Sequence, residues 1–503
     1  MADRFDQTRC DILICGGGTA GAALAGIIAR DTDLQIVLLE AGPDYGALAD
    51  GRWPADVLNA AEICRSHQWG YYGTAHVNHT EPTGYDRARV IGGCSSHNGC
   101  VALSGHRADY DAWPSLGAPG WDWESVAPAF ARAKQSLRVR HVADEEITPW
   151  QRTFVEAGIA SGIPWTDDLD DIDDPVGIGA SPVNIDDGRR WNTALAYLDP
   201  VRDRPNLRVI GDCMVDRVIL NNGRAVGVEA IIDEQRQQIR ADRVVLAGGA
   251  YGSPAIMLRS GIGPADELEA LGIAVAHPLA GVGRALVDHP AVTLRMGPSE
   301  QMQQQMAAFA SRGWLPEEQT LAKAQSQRCS EAFDLHLYAV SSRSPSTGIW
   351  RYSICVADVE PRSHGSVTLA SPNPALPPVI DHGFLTDPDD HDLNVLADGV
   401  ELVARMMATE PVARSFGPSL DELTRDDILE FVRSDVGIYY HPAGSCRMGA
   451  ADDLLSVVGP NGAVHGIEGL YVCDASIFPK IMRANTNLPA AMLAEHLAPT
   501  IAE

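Results

Sequence analysis

Gly16, Gly18 and Gly21, followed by Glu40, have the types and spacing that hold a dinucleotide. The first glycine permits a tight turn, the second lets a pyrophosphate approach the backbone, and the third allows close helix–strand contact. A helix starting at this turn offers free N–H groups and a partial positive charge to phosphates. Glu40 falls roughly 20 residues further on, where a carboxylate can accept hydrogen bonds from ribose hydroxyls. The elements that must position these groups can be read in order. Cys10–Cys15 is a short buried strand, and Ala20–Arg30 is helical, with Ala22, Ala23 and Ala25 small enough to pack on a sheet. Gln35–Leu39 is a second strand ending at Glu40. A glycine pattern alone is common in turns; strand, glycines, helix, strand and acid in that order specify a dinucleotide site. This unit by itself leaves NAD and FAD both open.

Four further segments carry candidate chemistry. Arg89–Cys100 is rich in glycine and serine: either a surface turn or a loop wrapping a cofactor with N–H groups and hydroxyls. The apolar strand Arg243–Ala247 runs into Gly248–Pro264, again a strand entering a glycine turn and a helix. Tyr440–Gly449 contains a histidine followed by proline. Gly469–Ser476 and Ala484–Glu495 form the last segment.

The chain of 503 residues is long enough for two or three units. Its 45% hydrophobic and 21% charged residues match a soluble globular protein. No window reaches the roughly 18 uninterrupted apolar residues of a membrane helix. The polar start Met1–Asp6 does not resemble a signal peptide, so a cytoplasmic location is expected. Ten cysteines occur without a CxxC pair, and Cys15 and Cys473 lie in apolar runs, which reads as small buried hydrophobes rather than disulfides. Metal-ligand spacing is lacking, so no metal is expected. The formal net charge of −28 opposes binding to nucleic acid or an anionic membrane and favours a cationic or neutral substrate over an anion.

Together the segments resemble the glucose–methanol–choline (GMC) oxidoreductase family along essentially the whole chain, most specifically at residues 89–113 and 249–264. Glu40-Ala41-Gly42 also resembles the end of the second strand in FAD-dependent enzymes. The resemblance implies an α/β fold in which a Rossmann-type FAD domain of the glutathione-reductase kind is assembled from residues 1–110, 200–290 and 440–503. Residues 111–199 and 291–439 then build a substrate or cap domain of sheet plus helices. The intervening sequence fits: 334–340 alternates as a half-buried strand, 349–359 and 365–370 read as strands, and Asp392–Met407 has helical periodicity. Gln301–Ala310, with its methionines, is either a mobile cover over the site or plain gap-filling.

The implied reaction is oxidation of an alcohol, with hydride passing to flavin N5. His441 is the expected base, since an imidazole titrates near neutrality, and Asn485 is the amide that orients the substrate oxygen, with Asn487 its competitor. Tyr440 is expected in the pocket wall. The expected cofactor contacts are Gly16, Gly18, Thr19, Ala20, Gly21, Glu40 and Ala41 near the N-terminus; Arg89, Gly92, Gly93, Ser96, His97, Asn98 and Gly99 in the second loop; Val215; and Asp474, Ala475, Asn485 and Thr486 near the C-terminus. Gly92–Asn98 resembles the choline oxidase version of the loop, which implies an FAD bonded covalently through His97; the alternative is a histidine hydrogen-bonded beside a noncovalent flavin. No acid can be aligned with the choline-binding one, because the Glu317–Glu318 region is poorly comparable, and Glu360 stands where the family has a histidine. The end pattern Ala484–Pro489 is closer to bacterial aryl-alcohol and hydroxymethylfurfural-type oxidases, which points to a primary alcohol. O2 is the expected acceptor, with a quinone-linked dehydrogenase or a redox-silent hydroxynitrile lyase as alternatives. A homodimer stays open.

Overall fold

The structure is a computed structural model that describes residues 9–77, 79, 81–174, 176–312, 318–344, 346–416 and 423–503. Met1–Asp6 and Glu317 therefore lie outside the described residues.

Two sheets dominate. The first orders its strands as Leu207–Ile210, Ile36–Leu39, Arg9–Cys15, Gln235–Leu246, Arg224–Ile232 and Cys213–Asn221, with Leu470–Val472 pairing on the long Gln235–Leu246 strand. The strand Arg9–Cys15 runs parallel to both neighbours, and Leu470–Val472 is parallel to the long strand. Strands buried on both faces need continuous apolar runs, and Ile12, Leu13, Ile14, Val244, Val245 and Leu246 are all fully buried. Register brings Cys15 beside Leu39 and Leu246, and Leu246 beside Val472. Four carboxyl ends are thus level, and the turns beginning at Gly16, Glu40, Ala247 and Cys473 leave from one edge. This is where open α/β sheets bind ligands.

The helix Thr19–Asp31 crosses behind this edge, and its small residues let it pack closely: a Cβ on Gly26 would fall 2.3 Å from Tyr197 O. The C-terminal helix Asn487–Ala502 packs in the same core.

The second sheet is antiparallel, in the order Gly437–Ile438, Pro290–Arg295, Trp350–Asp358, Leu335–Arg343, Thr320–Ala324 and Gly177–Ala180. The helix His391–Ala408 buries Leu393, Leu396, Val400 and Val403 against it. One sequence expectation shifts here, and one open choice is decided. Residues 113–137, assigned above to the substrate unit, pack into the first core through Trp113, Trp121 and Phe130, because the helix Trp123–Ser136 lies with the C-terminal helix and Arg132 Nε bonds Glu495 at 2.8 Å. The Gln301–Ala310 segment is the helix Glu300–Ala310, whose Met302 and Met306 are fully buried in the second core. The methionines fill the core, and none of the described residues of this helix lines the cavity below.

Candidate active site

A cavity of about 620 Å³ opens at the carboxyl edge of the first sheet and reaches Tyr338 of the second. Gly16, Gly18, Thr19 and Ala20 line it at one end, with Glu40 and Ala41 beside them. Arg89, Gly93, His97, Asn98 and Gly99 come from the second loop, Val215 from the first sheet, and Asp474, Ala475, Asn485 and Thr486 from the C-terminal segment. Tyr440 and His441 close the other end. Gly21, Gly92 and Ser96 support the turns from behind and do not line the cavity. A Cβ on Gly21 would meet Gly16 O at 1.9 Å, one on Gly92 would meet Ser96 Oγ at 2.3 Å, and the Ser96 hydroxyl donates to Ile91 O at 2.8 Å.

The dinucleotide end is made largely of backbone. Gly16 has φ +116° and lies against Ala247 O, where no side chain fits. Gly18 differs: an added Cβ would meet nothing closer than 3.9 Å, so its bare backbone faces open cavity. The Glu40 carboxylate accepts from Gly17 N at 2.9 Å and Gly42 N at 2.8 Å, one bond per oxygen, which leaves a lone pair on each for ribose hydroxyls. Burial pushes its pKa up, opposed by those two N–H groups. Helices starting at Thr19 and Asn487 open on the cavity with no bond from their N-cap side chains, whereas those starting at Trp123, Pro149 and Glu300 are capped by Asp122, Thr148 and Ser299. Asn485 Oδ1 and Asn487 Nδ2 are buried at the cavity without partners. Exposed backbone, uncapped helix starts and orphaned amides suit a large polar cofactor, and they fit FAD. Asp474 shares the cavity wall, but its carboxylate is already engaged by Gly249 N, Ser253 Oγ and Ser476 N at 2.5–2.8 Å, so it locks two turns together.

The other end is made of side chains. His441 Nε2 accepts from the Asn485 amide at 3.2 Å, and its Nδ1 lies 3.0 Å from His289 Nδ1. With Asn485 donating, the neutral His441 carries its proton on Nδ1 and donates it to His289, which holds its own on Nε2. Burial, with His289, Arg87 and His336 nearby, pushes the His441 pKa well below the ordinary value, so its free base is the resting form. Asp288 fixes the ring's backbone by accepting His441 N–H at 2.8 Å. Tyr440, at φ +67°, makes the sharp bend that turns His441 inward. Asn487, the competitor, is turned away: its Oδ1 accepts from Thr19 Oγ1 at 3.0 Å.

His97 is buried in the wall, and its Nε2 lies 2.6 Å from Gln68 Nε2. Burial and the Arg87, Arg190 and Arg65 cations bring its pKa down to about 3, so the imidazole is neutral. Sequence reasoning missed Arg87 and gave Glu318 and Glu360 no role in the site. Arg87 lines the cavity, 5.9 Å from the Tyr440 ring and 5.8 Å from the Tyr251 ring, with Nε and Nη2 unpartnered. Glu318 reaches the cavity beside Gly99. Glu360 accepts from Lys480 Nζ and from Arg483 Nη2, each at 2.7 Å, and Arg483 also pairs with Asp109; this brace holds the loop that presents Asn485. None of these residues falls in a recognisable local pattern.

A dinucleotide edge joined to a neutral histidine–amide pair defines a cofactor-dependent oxidoreductase. The comparisons narrow the class. A family model described as GMC oxidoreductase matches residues 10–291, and a second with the same description matches residues 361–494. An alcohol dehydrogenase [acceptor] of Pseudomonas putida is 30% identical, covering 98% of this chain and 95% of that one. A 5-(hydroxymethyl)furfural oxidase of Methylovorus sp. is 32% identical, covering 98% and 99%. The crystal structure of pyridoxine 4-oxidase from Mesorbium loti superposes with a TM-score of 0.85 at 26% identity, covering 98% and 99%. The chain belongs to the GMC oxidoreductase family, and it is an FAD-dependent enzyme that oxidises alcohols.

No helix among the described residues is long and apolar enough to cross a membrane.

Proposed function

We propose that this chain oxidises a primary alcohol to an aldehyde with O2 as electron acceptor, releasing H2O2. The observation that carries the reading is the neutral His441 Nε2 facing the Asn485 amide across 3.2 Å at the cavity wall. A substrate hydroxyl placed between them donates to Nε2 and accepts from the amide. His441 then takes the hydroxyl proton while Asn485 holds the oxygen as its negative charge grows. FAD, when bound, supplies the hydride acceptor and returns the electron pair to the final oxidant. Gly16–Ala20, Glu40 and the Gly93–Gly99 loop would hold it.

Likeness to an oxidase of hydroxymethylfurfural and to pyridoxine 4-oxidase supports oxygen as acceptor. The acceptor-linked alcohol dehydrogenase supports the second reading, in which a quinone or other carrier takes the electrons. An anaerobic screen of primary and secondary alcohols tests the first step: primary alcohols should bleach the flavin. Oxygen uptake with peroxide formation should follow on admitting air; bleaching without peroxide would replace O2 by another carrier.

We further assign His97 as the point of covalent FAD attachment, in which the imidazole would give up its N–H proton and the flavin a ring-methyl C–H, the electron pair passing through the flavin to O2. The neutral His97 ring lies in the cavity wall, and a turn of Gln68 frees Nε2. Acid precipitation should leave the yellow colour in the pellet; colour wholly in the supernatant overturns the assignment.

A further inference from the structure

Behind His441, on the side away from the cavity, lies a row of buried nitrogen groups with no part in the mechanism above. His289 is fully buried and bonds His441 through Nδ1. His336 is fully buried, and neither ring nitrogen has a partner. Lys323 is 2% exposed, and its Nζ has none. None of the three lines the cavity. The second sheet places them on one face. Lys323 stands directly opposite His336 across the antiparallel pair, and His336 is opposite Ala357, which is opposite Ala291. Two residues before Ala291, on the same face, is His289. The two alanines keep the row from being blocked by a large side chain.

The aromatic rings confirm the proximity. Tyr439 lies 4.4 Å from His441, 5.9 Å from His289 and 6.3 Å from His336, centre to centre. Phe333 stacks on His336 at 5.6 Å and lies 5.0 Å from Lys323 Nζ, with His106 against its edge. Burial pushes the Lys323 pKa down, opposed by the charges of the acidic loop beyond it, which holds Asp168, Asp170, Asp171 and Asp174. Asp168 and Asp171 are exposed, and Asp170 pairs with Lys134 at 2.6 Å. Lys323 Nζ, both ring nitrogens of His336 and Nε2 of His289 are buried without a hydrogen-bond partner, which is costly to keep. Ordered water is the ordinary way such groups are satisfied, and water between titratable groups carries protons.

We propose that His289, His336 and Lys323, bridged by water, form the path by which the substrate proton leaves His441 for the Asp168–Asp174 loop. The inference rests on His441 being the base. The proton balance is simple. The hydroxyl O–H bond breaks and its proton joins His441 Nε2; the Nδ1 proton passes to His289 Nδ1; and the His289 Nε2 proton moves on along the row. Both imidazoles end neutral in the opposite tautomer. Proton uptake along the same row, as the electron pair leaves for the acceptor, restores them.

The test follows flavin bleaching and a pH indicator together, in weakly buffered anaerobic solution, after mixing the holoenzyme with an alcohol that bleaches it. In the wild type, indicator protonation should keep pace with bleaching. Lys323→Met removes a buried charge at nearly constant length, and His336→Gln keeps a polar side chain, so two independent variants report on the row. Each should bleach within about twofold of the wild-type rate but release the proton at least roughly tenfold more slowly, the scale of a lost proton-transfer group. Proton release that keeps pace with bleaching in both variants, or no release from the wild type, overturns the path. If no alcohol bleaches the wild type, it is the alcohol-oxidation reading that fails.

Discussion

The two ends of the cavity are built from different material. At the dinucleotide end the contacts are main chain: bare glycine backbone at Gly16 and Gly18, uncapped helix starts, and a glutamate tied to two N–H groups two residues or more away. At the catalytic end they are side chains from separate stretches, with His441, Asn485 and His289 brought together by the fold. A main-chain site is fixed by local geometry and tolerates little change at a few glycines. A side-chain site depends on how distant segments are held, and its chemistry can be removed while the cofactor stays.

His441→Ala should show that separation most strongly. Anaerobic bleaching should slow by about two to four orders of magnitude, with flavin content unchanged. Loss of flavin along with the rate would mean that the two ends are not independent.

The next effect is on stability in acid. His289 and His382 are held down to about 3 by burial, and His336 and His441 lie well below their ordinary value for the same reason. Below about pH 6.5 the unfolded chain binds protons that the native chain refuses, so stability falls as pH drops, by up to about 1.4 kcal/mol per histidine per pH unit. Melting temperatures of the holoenzyme at pH 7.5, 6 and 5 should fall steeply, and His336→Gln should flatten the slope. A pH-independent Tm over that range would contradict the burial of these rings as neutral bases.

Smaller effects probe the backbone end. Glu40→Gln replaces one accepting oxygen by an amide that faces a backbone donor, at a cost of roughly 1–3 kcal/mol. Flavin affinity, measured by titrating apoprotein, should weaken by about ten- to a hundredfold. Ser96→Ala removes only the bond to Ile91 O and should cost about 1 kcal/mol in stability while flavin is retained. A large loss of flavin here would place the hydroxyl at the cofactor after all.

The same contrast explains what could be read from the chain. The strands at 10–15 and 35–39, the glycine turn and Glu40 are consecutive, and each is dictated by its own residues, so their order alone specifies the dinucleotide edge. The alternation at 334–340 gave a half-buried strand, whereas His336, on the alternate face, is fully buried beside Phe333 and Tyr439, which only the folded chain shows. Residues 123–136 carry nothing in their sequence that says which core their helix joins. Arg87, Glu318 and the Glu360–Arg483–Asp109 brace carry no local pattern, because their meaning lies in partners far along the chain. Serines in the 92–98 turn read as ligand donors, whereas the Ser96 hydroxyl is consumed in shaping the turn itself.

The helix starts at Thr19 and Asn487 face one another across the cavity edge, joined by the Thr19–Asn487 bond. They stand 468 residues apart in the chain. A ribosome therefore presents the glycine turn long before its counterpart exists. The sheet edge therefore lacks the helix that completes it until residues 487–502 are made. A chain cut before Asn485 should consequently keep the glycine turn but lose the stretch of cavity wall given by Asn485, Thr486, Asn487 and Ala490.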